Sequence, residues 1–149
     1  MNYYEILPYV GIGNLKFGIS PSTAEVILGK PKFSDFNTDT GTTTQYWENN
    51  GLQLEFSKDD ENLISISMYS NINNIKISDI IFDWNTSSST YNSLIKSDPS
   101  AMKTVGITVF FKHGIAVAGL LGDDNGDKSI TAFSKGQWTP EDPCLEQIL

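Results

Sequence analysis

Residues 51–69, GLQLEFSKDDENLISISMY, alternate so strictly that they leave the chain few options. Leu52, Leu54 and Phe56 fall on one side of an extended strand, with Gln53 and Glu55 on the other. After a charged turn, Ile64, Ile66 and Met68 repeat the apolar side while Ser65, Ser67 and Tyr69 repeat the polar one. Two such runs joined by a short turn predict an antiparallel pair with one dry and one wet face. Upstream, TQYWE has strand-like composition, and Asn50-Gly51 marks the turn that would connect it as a third strand.

A dry sheet face needs a cover, and residues 15–31, LKFGISPSTAEVILGKP, supply one. Ser20 can cap a helix with Pro21 at its first position, and Ser22 and Glu25 also fit a capping-box spacing. Ala24, Ile27 and Leu28 make the apolar stripe. Gly29 and Pro31 end it. Two turns of helix do not persist alone in water, so this one must lie on the sheet.

The second half of the chain repeats the theme. In WNTSSSTYNSLIKSDP, Tyr91, Leu94 and Ile95 form a second stripe ahead of Pro99. GITVFFKH then sets against GLQLEFSK with Gly106 on Gly51, as though the second copy had lost its first strand. IAVAGLL takes the part of LISISMY, and a further hairpin runs through GDDNGDK into SITAF. The expected fold is therefore α+β, with antiparallel sheet and short helices packed on one face. A single domain over 1–149 would consist of two similar units, about 11–70 and 77–134, and a tail over 135–149. The two units would abut to form one larger sheet.

The wet face is the natural place for a partner. Phe110 and Phe133 are expected to point outward with Thr108 and Thr131, and Trp47 or Tyr46 and Tyr69 to do the same in the first half. The competing possibilities are that the tail, with Trp138, covers this face, or that the register is off by one residue. Acids gather in the turns at Asp59, Asp60 and Glu61 and at Asp123, Asp124 and Asp127, with Glu55 on the sheet itself. Trp47, Tyr69, Phe110 and Phe133 are thus the candidate anchors and these seven acids the candidate charged contacts.

Charge narrows the partner. Ten lysines and no arginine stand against eighteen acids, a net charge of −8. That sign repels nucleic acid and anionic lipid and attracts basic proteins. No apolar run approaches the roughly twenty residues that span a bilayer. The N-terminal stretch has neither a basic segment nor an apolar run of secretory type, and the expected location is the cytoplasm.

Chemistry has little to work with. His113 is the single histidine, in an expected hairpin turn with no acid or nucleophile assembled around it, and Cys144 stands among acids that would raise its pKa. In GDDNGD the calcium-loop register places Leu121 and Ala132 where carboxylates are required. GIGNLKFG has Lys16 where a dinucleotide fingerprint needs its third glycine. No catalytic residue, cofactor or metal is expected.

The stretch LKFGISPSTAEVILGKP resembles a recurrent segment of small bacterial domains related to the outer-membrane assembly lipoprotein BamE and the beta-lactamase inhibitor protein. The likeness lies in Gly18, Ile19, Ser20, Val26, Leu28, Gly29 and Pro31. It implies a helix closing on a Leu-Gly-x-Pro end before an antiparallel meander, and a sheet face that grips an enzyme. Similar small acidic proteins serve as immunity proteins of secreted toxins. The chain has neither a lipoprotein signal nor the cysteines for the inhibitor's disulfides. The expectation is a non-enzymatic immunity protein that occludes a basic cognate toxin. The alternative is a small-ligand binder or carboxylate enzyme with a cleft between the units; a cell-envelope assembly role would need an anchor.

Overall fold

The computed structural model describes residues 3–148. The first helix is built as its sequence dictates. In α1 (Pro21–Leu28) the Ser20 hydroxyl accepts from the Thr23 N–H at 3.2 Å, and Gly29, at φ 84°, donates its N–H to the Glu25 carbonyl. Ala24 is fully buried and Leu28 packs against the core, but Ile27 is 40% exposed, so the apolar stripe is narrower than its spacing suggested. Helix α2 (Ser87–Ser97) follows a 3-10 turn at Trp84–Thr86 and buries Leu94, with Tyr91 and Ile95 packed beside it.

Each helix leads into a meander. After α1 come β4 (Phe33–Phe36), β5 (Thr43–Trp47), β6 (Leu52–Phe56) and β7 (Leu63–Tyr69). After α2 come β10 (Met102–Thr104), β11 (Ile107–Phe110), β12 (Ile115–Ala118) and β13 (Ser129–Phe133), with β14 (Glu146–Gln147) closing the chain. The two runs join edge to edge in one nine-stranded sheet, ordered β14-β10-β11-β12-β13-β7-β6-β5-β4. The seam is the antiparallel pair β7–β13, centred on Ser67 opposite Thr131. The second run therefore has four strands rather than a shortened set. Its first, β10, is a three-residue strand between β14 and β11, too short to show a period, and β4, at the opposite edge of the sheet, has only four residues.

A second sheet was not expected at all. Five short strands, β1 (Tyr4–Leu7), β2 (Gly11–Ile12), β3 (Leu15–Lys16), β8 (Ile75–Ile77) and β9 (Ile80–Phe82), lie in the order β3-β2-β1-β8-β9. β1 and β8 pair in parallel and all other neighbours run antiparallel. Strands of two to four residues are too short for a period to show.

Between the layers lies one continuous core. Ile6, Ile12 and Leu15 from the small sheet, Ala24 and Leu94 from the helices, and Leu54, Ile66, Phe110 and Ile130 from the large sheet belong to it. Two tryptophans fasten its margins: Trp47 donates its indole N–H to the Gly29 carbonyl at 3.0 Å, and Trp84 donates to that of Ile72 at 2.7 Å. Lys128 is buried and donates Nζ to the Trp84 carbonyl at 2.7 Å. Among the described residues no helix is long and apolar enough to cross a membrane.

Candidate functional site

Register decides which side chains reach the outer face of the large sheet. Cross-strand partners share a face, so Tyr46, Gln53, Ser67 and Thr131 form one row across β5, β6, β7 and β13. Thr44, Glu55, Ser65 and Phe133 form the next. A bulge between Glu55 and Phe56 pairs Phe56 with Leu63, so Leu63 takes the buried place expected of Ile64. Glu55 accepts from the Ser65 hydroxyl at 2.9 Å, and the Ser67 and Thr131 hydroxyls meet at 2.8 Å. Phe33 lies on Tyr46 with ring centroids 5.4 Å apart. Burial, and then the Tyr46 phenol nearby, pushes the Tyr69 hydroxyl above its ordinary pKa. The first half thus presents an open surface of Tyr, Ser and Thr.

Three expected anchors are not on it. Trp47 is 5% exposed because it pairs with Leu52 and so faces the core. Phe110 is fully buried, since it pairs with Ile115 on the core side together with Thr108. There the register is one residue off, in the run Val109-Phe110-Phe111 where either parity reads as apolar. Phe133 does point outward, but it is 1% exposed. Tyr9 and the tail cover it: the Tyr9 ring stands edge-on at 5.7 Å, and Leu145 and Trp138 close over Val109 and Ala116. Tyr69 alone of the four anchors remains, half-buried, on the open face.

The acids do not converge. Asp59, Asp60, Glu61, Asp123, Asp124 and Asp127 are all exposed, as turn residues should be. One turn precedes β7 and the other precedes β13. Because these strands are antiparallel, the two acidic clusters lie at opposite ends of the seam, separated by about 20 Å of strand. Among the described residues no group of three His, Cys, Asp or Glu side chains is placed to hold a metal ion.

An aromatic hollow lies beside the tail, formed by the β1–β2 turn, the turn after β11 and residues 135–141. It has a volume of about 540 Å³ and is walled by Tyr9, Phe111, Trp138 and Pro140, with Lys135 and Glu141 at its rim. Tyr9 has φ 63°, a rare conformation for a bulky residue, and donates its hydroxyl to the Phe111 carbonyl. Burial first, and Asp98 second, raises the Tyr9 pKa. Trp138 also borders a smaller hollow of about 180 Å³ over Ala116, Ala118, Ser129 and Thr131. It is therefore the ridge between the open sheet face and the aromatic groove. Of the three indoles, that of Trp138 alone makes no hydrogen bond among the described residues. The sequence marks Trp138 only as part of a tail that could cover this face, and strand alternation gives no reason to make it an anchor.

His113 is buried, not solvated. Its Nε2 lies 3.1 Å from the Ser97 Oγ, whose own proton goes to the Leu94 carbonyl at 3.0 Å. That assigns the imidazole proton to Nε2, which donates to Ser97 and cannot act as its base. Asp98 is spent on the Ser100 N–H and hydroxyl and on the Lys112 N–H. Burial lowers the His113 pKa, with Asp98 opposing and Lys112 adding to the effect. Cys144 is exposed and free and does not pack on the body; its neighbour Leu145 is the buried residue, packed with Val109, Ala116 and Phe133.

Compared with models of protein families, with curated proteins and with solved structures, the chain matches none of them.

Proposed function

We propose that this chain is a non-enzymatic cytoplasmic binding protein that occludes one basic protein partner, as a bacterial immunity protein occludes its toxin. The observation that carries the reading is Trp138, with an unspent indole donor, standing where a Tyr/Ser/Thr sheet face meets an aromatic groove. Large amphipathic side chains with a polar atom to offer dominate binding energy at interfaces, and Tyr and Ser supply adaptable contact area. Tyr46 and Trp138 join Tyr69 as the anchors, in place of Trp47, Phe110 and Phe133. The two acidic turns frame the face at its ends, and Glu55 lies within it. With a net charge of −8, they steer a basic partner toward the face at a salt-dependent rate.

The architectural part of the proposal is a tandem of helix-plus-meander units, with both helices roofing the side away from the partner. Supporting it are the repeated order of helix and four strands and the place of Ala24 and Leu94 in the core beneath the sheet. The likeness of residues 15–31 to inhibitor-type domains agrees with it. The alternative of a carboxylate enzyme with a cleft between the units has less support. The meanders meet along paired strands, and the aromatic groove has Glu141 as its one carboxylate.

The test is capture from a lysate of the cells that make the protein. Wild-type chain and a Val105→Ala control (Val105 is 97% exposed) should retain the same basic protein and suppress its activity. A folded Tyr46→Ala/Tyr69→Ala/Trp138→Ala variant should lose both effects. Equal retention by the triple variant, or no specific retention by wild type, defeats the reading.

A further inference from the structure

The aromatic groove indicates the chemistry of what it receives. We propose that it holds a proline-rich segment of the partner in the polyproline II conformation, with a lysine or arginine next to the prolines. The inference deepens the binding reading above and rests on it.

The groove offers ring faces and an indole donor. Tyr9, Phe111 and Trp138 supply the rings. Tyr9 is held by its hydroxyl bond to the Phe111 carbonyl and its edge contact with Phe133, so its wall is fixed before any ligand arrives. On the other side, Pro140 restrains the preceding Thr139 to an extended conformation. Among the described residues Trp138 Nε1 has no acceptor, so it can donate to a ligand.

The three common forms of a docked segment ask for different things. An added strand needs a row of free backbone groups along a strand edge, and the groove is lined by turn and tail residues with no strand among them. A helix has already spent its carbonyls internally and leaves the indole donor unanswered. A polyproline II segment makes no internal hydrogen bonds, so it presents carbonyls that a single indole N–H can meet. Its rings stack on aromatic walls, and it arrives already ordered, losing little freedom on binding.

Charge orients it. Glu141 and Lys135 both line the groove, and Asp142 follows Glu141. A cation beside the prolines is attracted to the Glu141 end and repelled from the Lys135 end. The net charge of −8 favours the same sign of partner.

The experiment titrates nitrogen-15-labelled full-length chain with a peptide of an arginine followed by about seven prolines, long enough for two turns or more of polyproline II. The expected result is a saturable shift of the Trp138 indole resonance, with those of Trp47 and Trp84 unmoved. Trp138→Phe keeps a ring in the wall but removes the donor, and should weaken binding about tenfold, as loss of an interface anchor does. Replacing the arginine by glutamate should weaken it several-fold at low salt. No saturable shift at millimolar peptide, or an equal shift with a glycine-serine peptide carrying the same arginine, overturns the inference. Should the lysate partner still depend on Tyr46 and Tyr69 while the proline peptide fails, the polyproline assignment falls and the sheet-face reading stands. The opposite pattern removes the sheet face and leaves the groove.

Discussion

The turn before β6 sets up a sharp test of local packing. Glu48, Asn49 and Asn50 all have positive φ, at 52°, 54° and 68°. A left-handed run of this kind costs about 1 kcal/mol or more per residue and needs outside support. The Glu48 carbonyl provides the attachment point: it accepts from the Gly51 N–H at 3.0 Å and from Asn71 Nδ2 at 2.7 Å. Gly51 itself is not in the left-handed region, so alanine suits its backbone. The obstacle is Asn71, whose Oδ1 would lie 1.8 Å from the new Cβ. Asn71 is exposed and can swing away, but only by giving up its bond to Glu48. Gly51→Ala should therefore cost about 1–2 kcal/mol, one hydrogen bond plus partial release of the turn. Asn71→Ala alone should cost about 1 kcal/mol for the same bond. In the double variant the clash is gone, and the added alanine should be neutral or stabilising by about 0.5 kcal/mol through the unfolded chain. The assay is a double-mutant cycle from urea midpoints at constant m-value. A coupling of about 1–2 kcal/mol is expected; additivity within about 0.5 kcal/mol would refute the claim that the Asn71 side chain is what Gly51 makes room for.

Three further outcomes are expected. Because burial lowers the folded-state pKa of His113, the unfolded chain binds more protons near that pKa, so stability should rise with pH. Relative to a folded His113→Gln variant, wild type should lose stability as pH falls through about 6.5 and level off below the folded-state pKa; parallel profiles in denaturant melts at several pH values would exclude this. Phe133→Ala should cost about 3–5 kcal/mol as a core truncation, whereas Phe33→Ala, 56% exposed, should change stability by under about 1 kcal/mol, so equal midpoints for the two would contradict the covering of Phe133 by Tyr9 and the tail. Lys128→Met keeps the buried stem but strands the Trp84 carbonyl, and should cost about 1–3 kcal/mol in thermal or urea unfolding; a variant as stable as wild type would show that this carbonyl needs no partner.

What could be read from the sequence was whatever is decided within a few residues. The Ser20 cap, the Gly29 end of α1 and the alternation of β6 and β7 all follow from local chemistry, apart from the bulge that exchanges Ile64 for Leu63. The errors share a cause. Around Phe110, both faces of the sheet are covered, one by the core and one by Tyr9 and the tail, so alternation disappears and the parity of adjacent phenylalanines cannot be judged. Trp47 lies in TTQYW, where threonine and glutamine leave the inward side unmarked. β4 and β10 are too short for alternation to show, and the five-stranded sheet is assembled from pieces just as brief. The groove depends on residues 9, 111 and 138 meeting, and no local pattern announces such a meeting.

The seam between β7 and β13 has its counterpart in β1 and β8, and these two strand pairs bridge the chain before residue 70 to the chain after 74. Severed in that connector, each fragment would carry two open strand edges whose matching edges exist only on the other. Halves made separately should find each other and reconstitute the protein. By the same logic, two intact copies at high concentration could exchange halves, forming an intertwined dimer with every native contact kept.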